Sequence, residues 1–220
     1  MRILGPGRPV GEARTVGEQV RGAVEAVRHP IILTVVVAGF LLFVVIFGVF
    51  LTALPVHLEN EFGLGPGARG LVLSSPAIGS TVAAWNSARV RARVPIRLVL
   101  AGSSVLIAIA AFGVAVAPAI GVVLVVSVIY GLGDGTAIPA LQDVATSAAP
   151  ASQRASVMAA WVSAVRLGQA VGPIGAAALF GATSTTLTMI VGAAIFAVVA
   201  VVFVLSPLDD ERLAAAQAGR

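Results

Sequence analysis

The sequence predicts an all-α integral membrane protein, with six transmembrane helices arranged as two inverted three-helix repeats. Three observations predict this. First, 58% of the 220 residues are hydrophobic and 11% charged, where a soluble domain carries about 25% charged residues. Second, six apolar stretches lie at roughly 30–56, 70–88, 98–118, 119–142, 155–180 and 183–207. At 1.5 Å rise per residue, each is long enough to cross a hydrocarbon core of about 30 Å. Third, Thr52-Ala53-Leu54-Pro55 near the end of span one recurs as Thr136-Ala137-Ile138-Pro139 near the end of span four. The Pro66 and Arg69 that follow recur as Pro150 and Arg154. The two copies fall on opposite membrane faces, as inverted repeats require.

Taken in order, residues 1–29 read as a cytoplasmic tail. Within it, 15–29 has the spacing of a short amphipathic helix, with Thr15 and Glu18 as a capping box and Val16, Val20, Val24 and Val27 as one apolar stripe; at this length a frayed linker is the alternative. This tail lacks the apolar core of a signal peptide, so span one is expected to act as its own insertion signal. Residues 30–207 form the six-helix transmembrane domain, and 208–220 a cytoplasmic C-terminal tail. Pro118 and Ala119 join spans three and four so tightly that those helices are expected to be antiparallel neighbours. Gly181 and Ala182 make the same demand of spans five and six.

Charge sets the topology. All fourteen basic residues are Arg. Twelve of them (2, 8, 14, 21, 28, 89, 91, 93, 97, 154, 212 and 220) fall on one side of the spans. Arg69 falls on the other, and Arg166 lies inside span five. This positive-inside asymmetry places both termini in the cytoplasm, in the cell (inner) membrane. The net charge of +4 therefore reads as topology and anionic lipid contact, with no call for nucleic acid.

Polar residues interrupt spans two, four and five, while spans three and six are almost wholly aliphatic. Span two carries Ser74, Ser75, Ser80, Thr81 and Asn86. Span four carries Tyr130, Gly131, Gly133, Asp134, Gly135 and the kink-forming Pro139. Span five carries Ser163, Arg166 and Gln169, with Gly168, Gly172 and Pro173 at close-packing spacing. Asp134 and Arg166 lie about 12 Å and 16 Å from the cytoplasmic ends of their spans at helical rise, close enough in depth to pair. Asp134 reads as a proton- or cation-responsive group, as half of a structural ion pair, or as a carboxylate snorkelling near the cytoplasmic mouth. Arg166 reads as its partner, as an anion contact, or as a structural charge. Tyr130, Asp134, Arg166 and Gln169 are thus the substrate and coupling candidates. The six glycines and prolines 131, 133, 135, 139, 172 and 173, with Gly168, are the packing and gating candidates. Phe40, Phe43, Phe47 and Phe50 stripe span one, as a packing or lipid face or as a greasy substrate wall.

Other chemistries fail. The absence of cysteine removes disulfides, thiolate metal sites and cysteine catalysis. The two histidines, His29 and His57, flank span one at opposite faces, so neither meets a buried serine, and no His/Glu cluster exists for a metal. The run from Gly131 to Gly135 lies inside an apolar span, and Thr136 stands where a dinucleotide fingerprint needs its third glycine. An enzyme is not expected, and neither is a cofactor, beyond coupling to a proton gradient.

The stretch from Tyr130 through Pro139, then Pro150, Arg154 and Arg166 to Pro173, resembles the carboxy-terminal half of a major facilitator superfamily transporter of the drug-efflux-like branch. Phe47 to Pro55 resembles the opening span of that half, and the resemblance covers residues 15–207. It implies that spans one and four line a central cavity, two and five face a second six-helix half, and three and six face lipid. It further implies that Gly168, Gly172 and Pro173 match the Gly-xxx-Gly-Pro of the antiporter motif. Asp134 departs from the family, which usually has an uncharged residue there, and the arginines at 89–97 lack the Asp and Gly of its conserved loop. The function so implied is movement of a small solute, such as drug or metabolite efflux, by alternating access as one half of a secondary transporter. The second half is another chain or a second copy of this one. The alternative is a non-transporting six-helix membrane protein that binds or regulates a transporter.

Overall fold

The computed structural model describes residues 29–149, 153–206 and 208; the predicted amphipathic helix at 15–29, Pro150 and the C-terminal tail lie almost wholly outside them. Among the described residues there are helices and no strand. Five helical rods are long and apolar enough to cross a membrane: Pro30–Phe62, Ile96–Ala115, Ile120–Ala148, Arg154–Ala182 and Thr185–Leu205. The chain is a multi-pass, all-α membrane protein.

The first rod is built in three pieces, α1 (Pro30–Val44), a π-helical segment (Val45–Ala53) and α2 (Leu54–Phe62). Pro55 explains the middle piece. Its missing N–H and its ring disturb the hydrogen bonds one turn back. The π register absorbs the defect: the Leu54 N–H donates to Val49 O, five residues earlier, and Thr52 Oγ1 donates to Phe47 O at 2.7 Å. In hydrocarbon such reassignment is what makes an internal proline tolerable. Pro139, at the repeated site, lies inside an unbroken helix, and the nearby Thr136 Oγ1 donates to Leu132 O at 2.7 Å. The rod ends at Gly63, whose φ of 63° is the left-handed C-cap conformation.

Span two departs from expectation. It is two helices, α3 (Pro66–Ser74) and α4 (Pro76–Arg91), with Pro76 opening the second. Pro76 cannot donate back into α3, so the hydrogen-bond ladder is interrupted at Ser75, whose own dihedrals stay helical, and neither piece alone is long enough to span. Ser75 Oγ donates to Val72 O at the break. The remaining spans are α5 (Ile96–Ala115), α6 (Ile120–Ala148), α7 (Arg154–Ala182) and α8 (Thr185–Leu205).

Helix pairing follows the predicted repeat. The most extensive contacts are α5 with α8, α5 with α6, α4 with α6, and α7 with α1 and its π continuation. Exchanging spans 1–3 with 4–6 turns the span one–span five contact into the span four–span two contact and returns span three–span six to itself. Those contacts follow a pseudo-two-fold relation between the triplets; the span three–span four contact does not, because its counterpart between span six and span one is slight. Spans five and six correct the sequence reading. Only Thr183 and Ser184 separate α7 from α8, yet their mutual contact is slight. Each helix diverges to a larger partner, α7 to α1 and α8 to α5.

Glycine sets how near α7 comes to span one. A Cβ on Gly48 would lie 2.5 Å from Gly172 O, and one on Gly168 2.5 Å from Phe40 O. The backbones therefore touch, which is the main attractive contact open to helices in lipid. On α8 the exposed residues from Leu187 to Leu205 are all aliphatic, as a lipid-facing surface requires. Ser103 and Ser104, buried in α5, are satisfied locally by Leu100 O at 2.9 and 2.8 Å.

Gly48→Ala should lower stability by about 1–3 kcal/mol through overpacking against backbone. Gly102→Ala, where an added methyl meets nothing within 4 Å, should be neutral or stabilising by up to about 1 kcal/mol. Thermal unfolding of both variants in detergent checks the contrast.

Candidate functional site

The glycine run of α6 points two ways. Gly131 and Gly135, four apart, face α4: added Cβ atoms would lie 1.9 Å from Pro76 O and 2.7 Å from Ser80 Cα. Gly133, on the other side, faces α5, where a Cβ would lie 2.9 Å from Ser103 O. From α4, Gly79 returns the contact against Val128 O. These residues are therefore needed for close crossing, and that crossing brings a side chain of α4 onto Asp134.

That side chain is Ser80. Its Oγ donates to Asp134 Oδ1 at 2.8 Å and lies 3.1 Å from Gly131 O. Asp134 is half-buried. One turn away, Tyr130 is buried and its ring stacks on Phe50 of the π segment, with centroids 3.5 Å apart and planes 22° apart. Asp134 thus sits between the side of α6 that packs on α4 and the side that packs on span one. An ionised carboxylate inside a span costs about 2.5–3.5 kcal/mol on the insertion scale, and the serine hydroxyl offsets part of that.

Arg166 does not pair with Asp134. Its Nη1 donates to Gln169 Oε1 at 3.0 Å, one turn along its own helix. The guanidinium is exposed because of where α7 packs. Gly168 and Gly172 seat on span one, while Val171 and Gly175 border α8. At 3.6 residues per turn, Arg166 is displaced from each of these by about 120° or more. The sequence put the two charges at similar depths but could not show their helix faces. Pro173 lies within α7 beside the Gly172 contact.

The phenylalanine stripe divides. Phe50 is buried against Tyr130, while half-buried Phe43 stacks on Phe47 at 6.2 Å and meets Trp161 of α7 edge-on at 6.4 Å. Trp161 is the member that sequence reasoning missed. Gly39 was its signal: a Cβ there would lie 2.8 Å from the indole Nε1. Among the described residues, Ser127 Oγ, Tyr130 Oη and Trp161 Nε1 are buried without a hydrogen-bond partner.

At the two ends, contacts between distant residues fasten the spans. Arg91 of α4 is paired with Asp143 of α6. Arg69 bridges Glu59 and Pro55 O. Buried His57 shares a 2.9 Å hydrogen bond with Thr185 Oγ1 at the start of α8. Between α4, α5 and α6 lies a cavity of about 210 Å³, to which Asn86, Ser87, Thr136 and Pro139 contribute. No group of His, Cys, Asp and Glu among the described residues could hold a metal ion.

A protein-family profile described as Major Facilitator Superfamily matches residues 18–220. The chain belongs to the major facilitator superfamily. Its members are secondary membrane transporters that carry small molecules, and are not enzymes. No curated protein matches the chain. Within this family frame, the lipid bilayer is the environment of the apolar rods.

A double-mutant cycle on Ser80→Ala and Asp134→Ala should give a coupling of about 0.6–1.7 kcal/mol, the range for hydrogen bonds between membrane helices. Unfolding measured in a lipid–detergent mixture reads it, and strictly additive losses would mean that the two groups do not interact.

Proposed function

We propose that this chain is one half of a secondary transporter, moving a small amphipathic solute by alternating access together with a second six-helix unit. That unit is another chain or a second copy. In this reading both termini are cytoplasmic, in the cell membrane. Spans one and four line the cavity, and α4 and α7 face the second unit. Burial supports that assignment: α7 has the smallest buried share of the five long rods, and α4 exposes Ile78, Val82 and Trp85.

The observation that carries the reading is Asp134. It is a carboxylate inside a span, half-buried, whose hydrogen-bonded partner is a hydroxyl on another span. A proton arriving on Asp134 removes the charge and weakens the tie between α6 and α4. A proton gradient can thereby act on the crossing, which is the coupling role we assign to this residue. Tyr130 and Gln169 supply polar atoms beside the two charges, and the glycines with Pro139 and Pro173 let the helices slide.

Asp134→Asn should abolish proton-linked solute movement, a loss of at least about tenfold in rate for removal of a proton-transfer group, while the protein still assembles. Proton uptake measured in vesicles holding the assembled transporter tests this. Proton-linked transport at the unaltered rate would overturn the role of Asp134.

A further inference from the structure

Helices α4 and α5 are consecutive in the chain, yet each packs on α6 and their mutual contact is slight. The cavity of about 210 Å³ lies between them, with Leu132, Thr136 and Pro139 of α6 as its floor. Its walls run from Val90 and Arg91 at the end of α4 inward to Val82 on α4 and Leu106 on α5. Val82 is nine residues from the end of α4, and Leu106 ten from the start of α5. At helical rise the cleft is therefore about 15 Å deep, the depth of one leaflet in a hydrocarbon core of about 30 Å.

The polar side chains of the cleft bond to their own helices. Asn86 Nδ2 donates to Val82 O, Ser87 Oγ to Ala84 O and Thr136 Oγ1 to Leu132 O, at 2.9, 2.8 and 2.7 Å. What remains is a mainly apolar slot that suits an acyl chain. Its mouth has the opposite character. Arg89 Nη1 reaches Asn86 Oδ1 at 3.5 Å, which holds the guanidinium beside the cleft. Arg91 lines the mouth and is paired with Asp143, so that carboxylate is neutralised. Exposed Arg93 follows in the turn before α5. The mouth thus keeps the positive charge of Arg89 and Arg93 at headgroup level, where a phosphate matches it. Ile78 and Trp85, proposed to meet the second unit, lie about 120° or more round α4 from Ala83, Ser87 and Val90. The cleft and that interface use different sides of the helix, with Val82 at their border.

We infer that this cleft binds one anionic phospholipid, with an acyl chain between α4 and α5 and the phosphate on Arg89 and Arg93. The lipid supplies the contact that the two helices lack. The site requires the membrane fold and not the transport reading.

The chain has no cysteine, so Ser87→Cys places a lone thiol in the cleft. The full chain carrying it is purified in detergent. Its modification by N-ethylmaleimide is timed as dioleoylphosphatidylglycerol or dioleoylphosphatidylcholine is added. These lipids share their acyl chains and differ in headgroup charge. Both should protect the thiol, the anionic lipid at a concentration lower by about fivefold for each arginine that meets its phosphate. Adding Arg89→Gln should reduce that preference by about fivefold, and Arg89→Lys should keep it. Equal protection by both lipids would overturn the anionic assignment, as would an undiminished preference in the Arg89→Gln variant. A thiol that reacts freely at every lipid concentration would mean that the cleft takes no lipid. A thiol that reacts only after unfolding would mean that protein covers the cleft. Either result overturns the site.

Discussion

Every peptide group in a membrane span must find its hydrogen bond within protein, because hydrocarbon offers none. The rest of this structure depends on that constraint. It forces the spans into helices and makes each proline a problem with a visible local solution. Around Pro55 the backbone shifts to π register and Thr52 reaches back five residues. Pro139 is carried within a continuous helix, and at Pro76 one helix ends and the next begins. Once the backbones are satisfied, little is left to hold the helices together except contact and a few polar ties. Glycine then becomes the main determinant of packing, since it alone lets one backbone rest on another.

The two closest crossings do different work. Where α7 crosses span one, Gly48, Gly168 and Gly172 bring backbone against backbone with no ionisable side chain between them. Where α6 crosses α4, the same device closes around Asp134 and Ser80. A change of charge can therefore act on the second crossing and not on the first. Of the two crossings, the second alone encloses a carboxylate, and the coupling role proposed for Asp134 rests on that difference. The α5–α8 pair is apolar on its outer surface.

Much of the architecture was legible in the sequence, for reasons that can be named. Apolar length gave five of the spans, with Pro76 dividing the sixth, and the repeated Thr-Ala-(Leu/Ile)-Pro pointed to the relation seen in the span one–span five and span four–span two contacts. Gly168 and Gly172 could be read as packing residues from their spacing. What failed depended on orientation. Asp134 and Arg166 match in depth, but pairing also requires facing helix sides, and those are fixed by glycines on four different helices. The divergence of α7 and α8 was hidden for a similar reason: a two-residue turn fixes proximity at one end only. Trp161 reads as an ordinary apolar residue until Gly39, more than a hundred positions earlier, is seen beneath its indole. The role of His57 in tying span one to α8 likewise needs Thr185, which the sequence places 128 residues away.

The central claim is that these spans act as half of a transporter and need a second unit to move solute. Native mass measurement on the protein extracted in lipid particles from its own membranes, paired with proton-linked uptake by the same particles reconstituted into vesicles, tests it most directly. The account predicts an assembly that contains further transmembrane helices, from a second copy or from another polypeptide, and transport activity that travels with that assembly. A single copy of these spans, alone in its particle and fully active in transport, would contradict it.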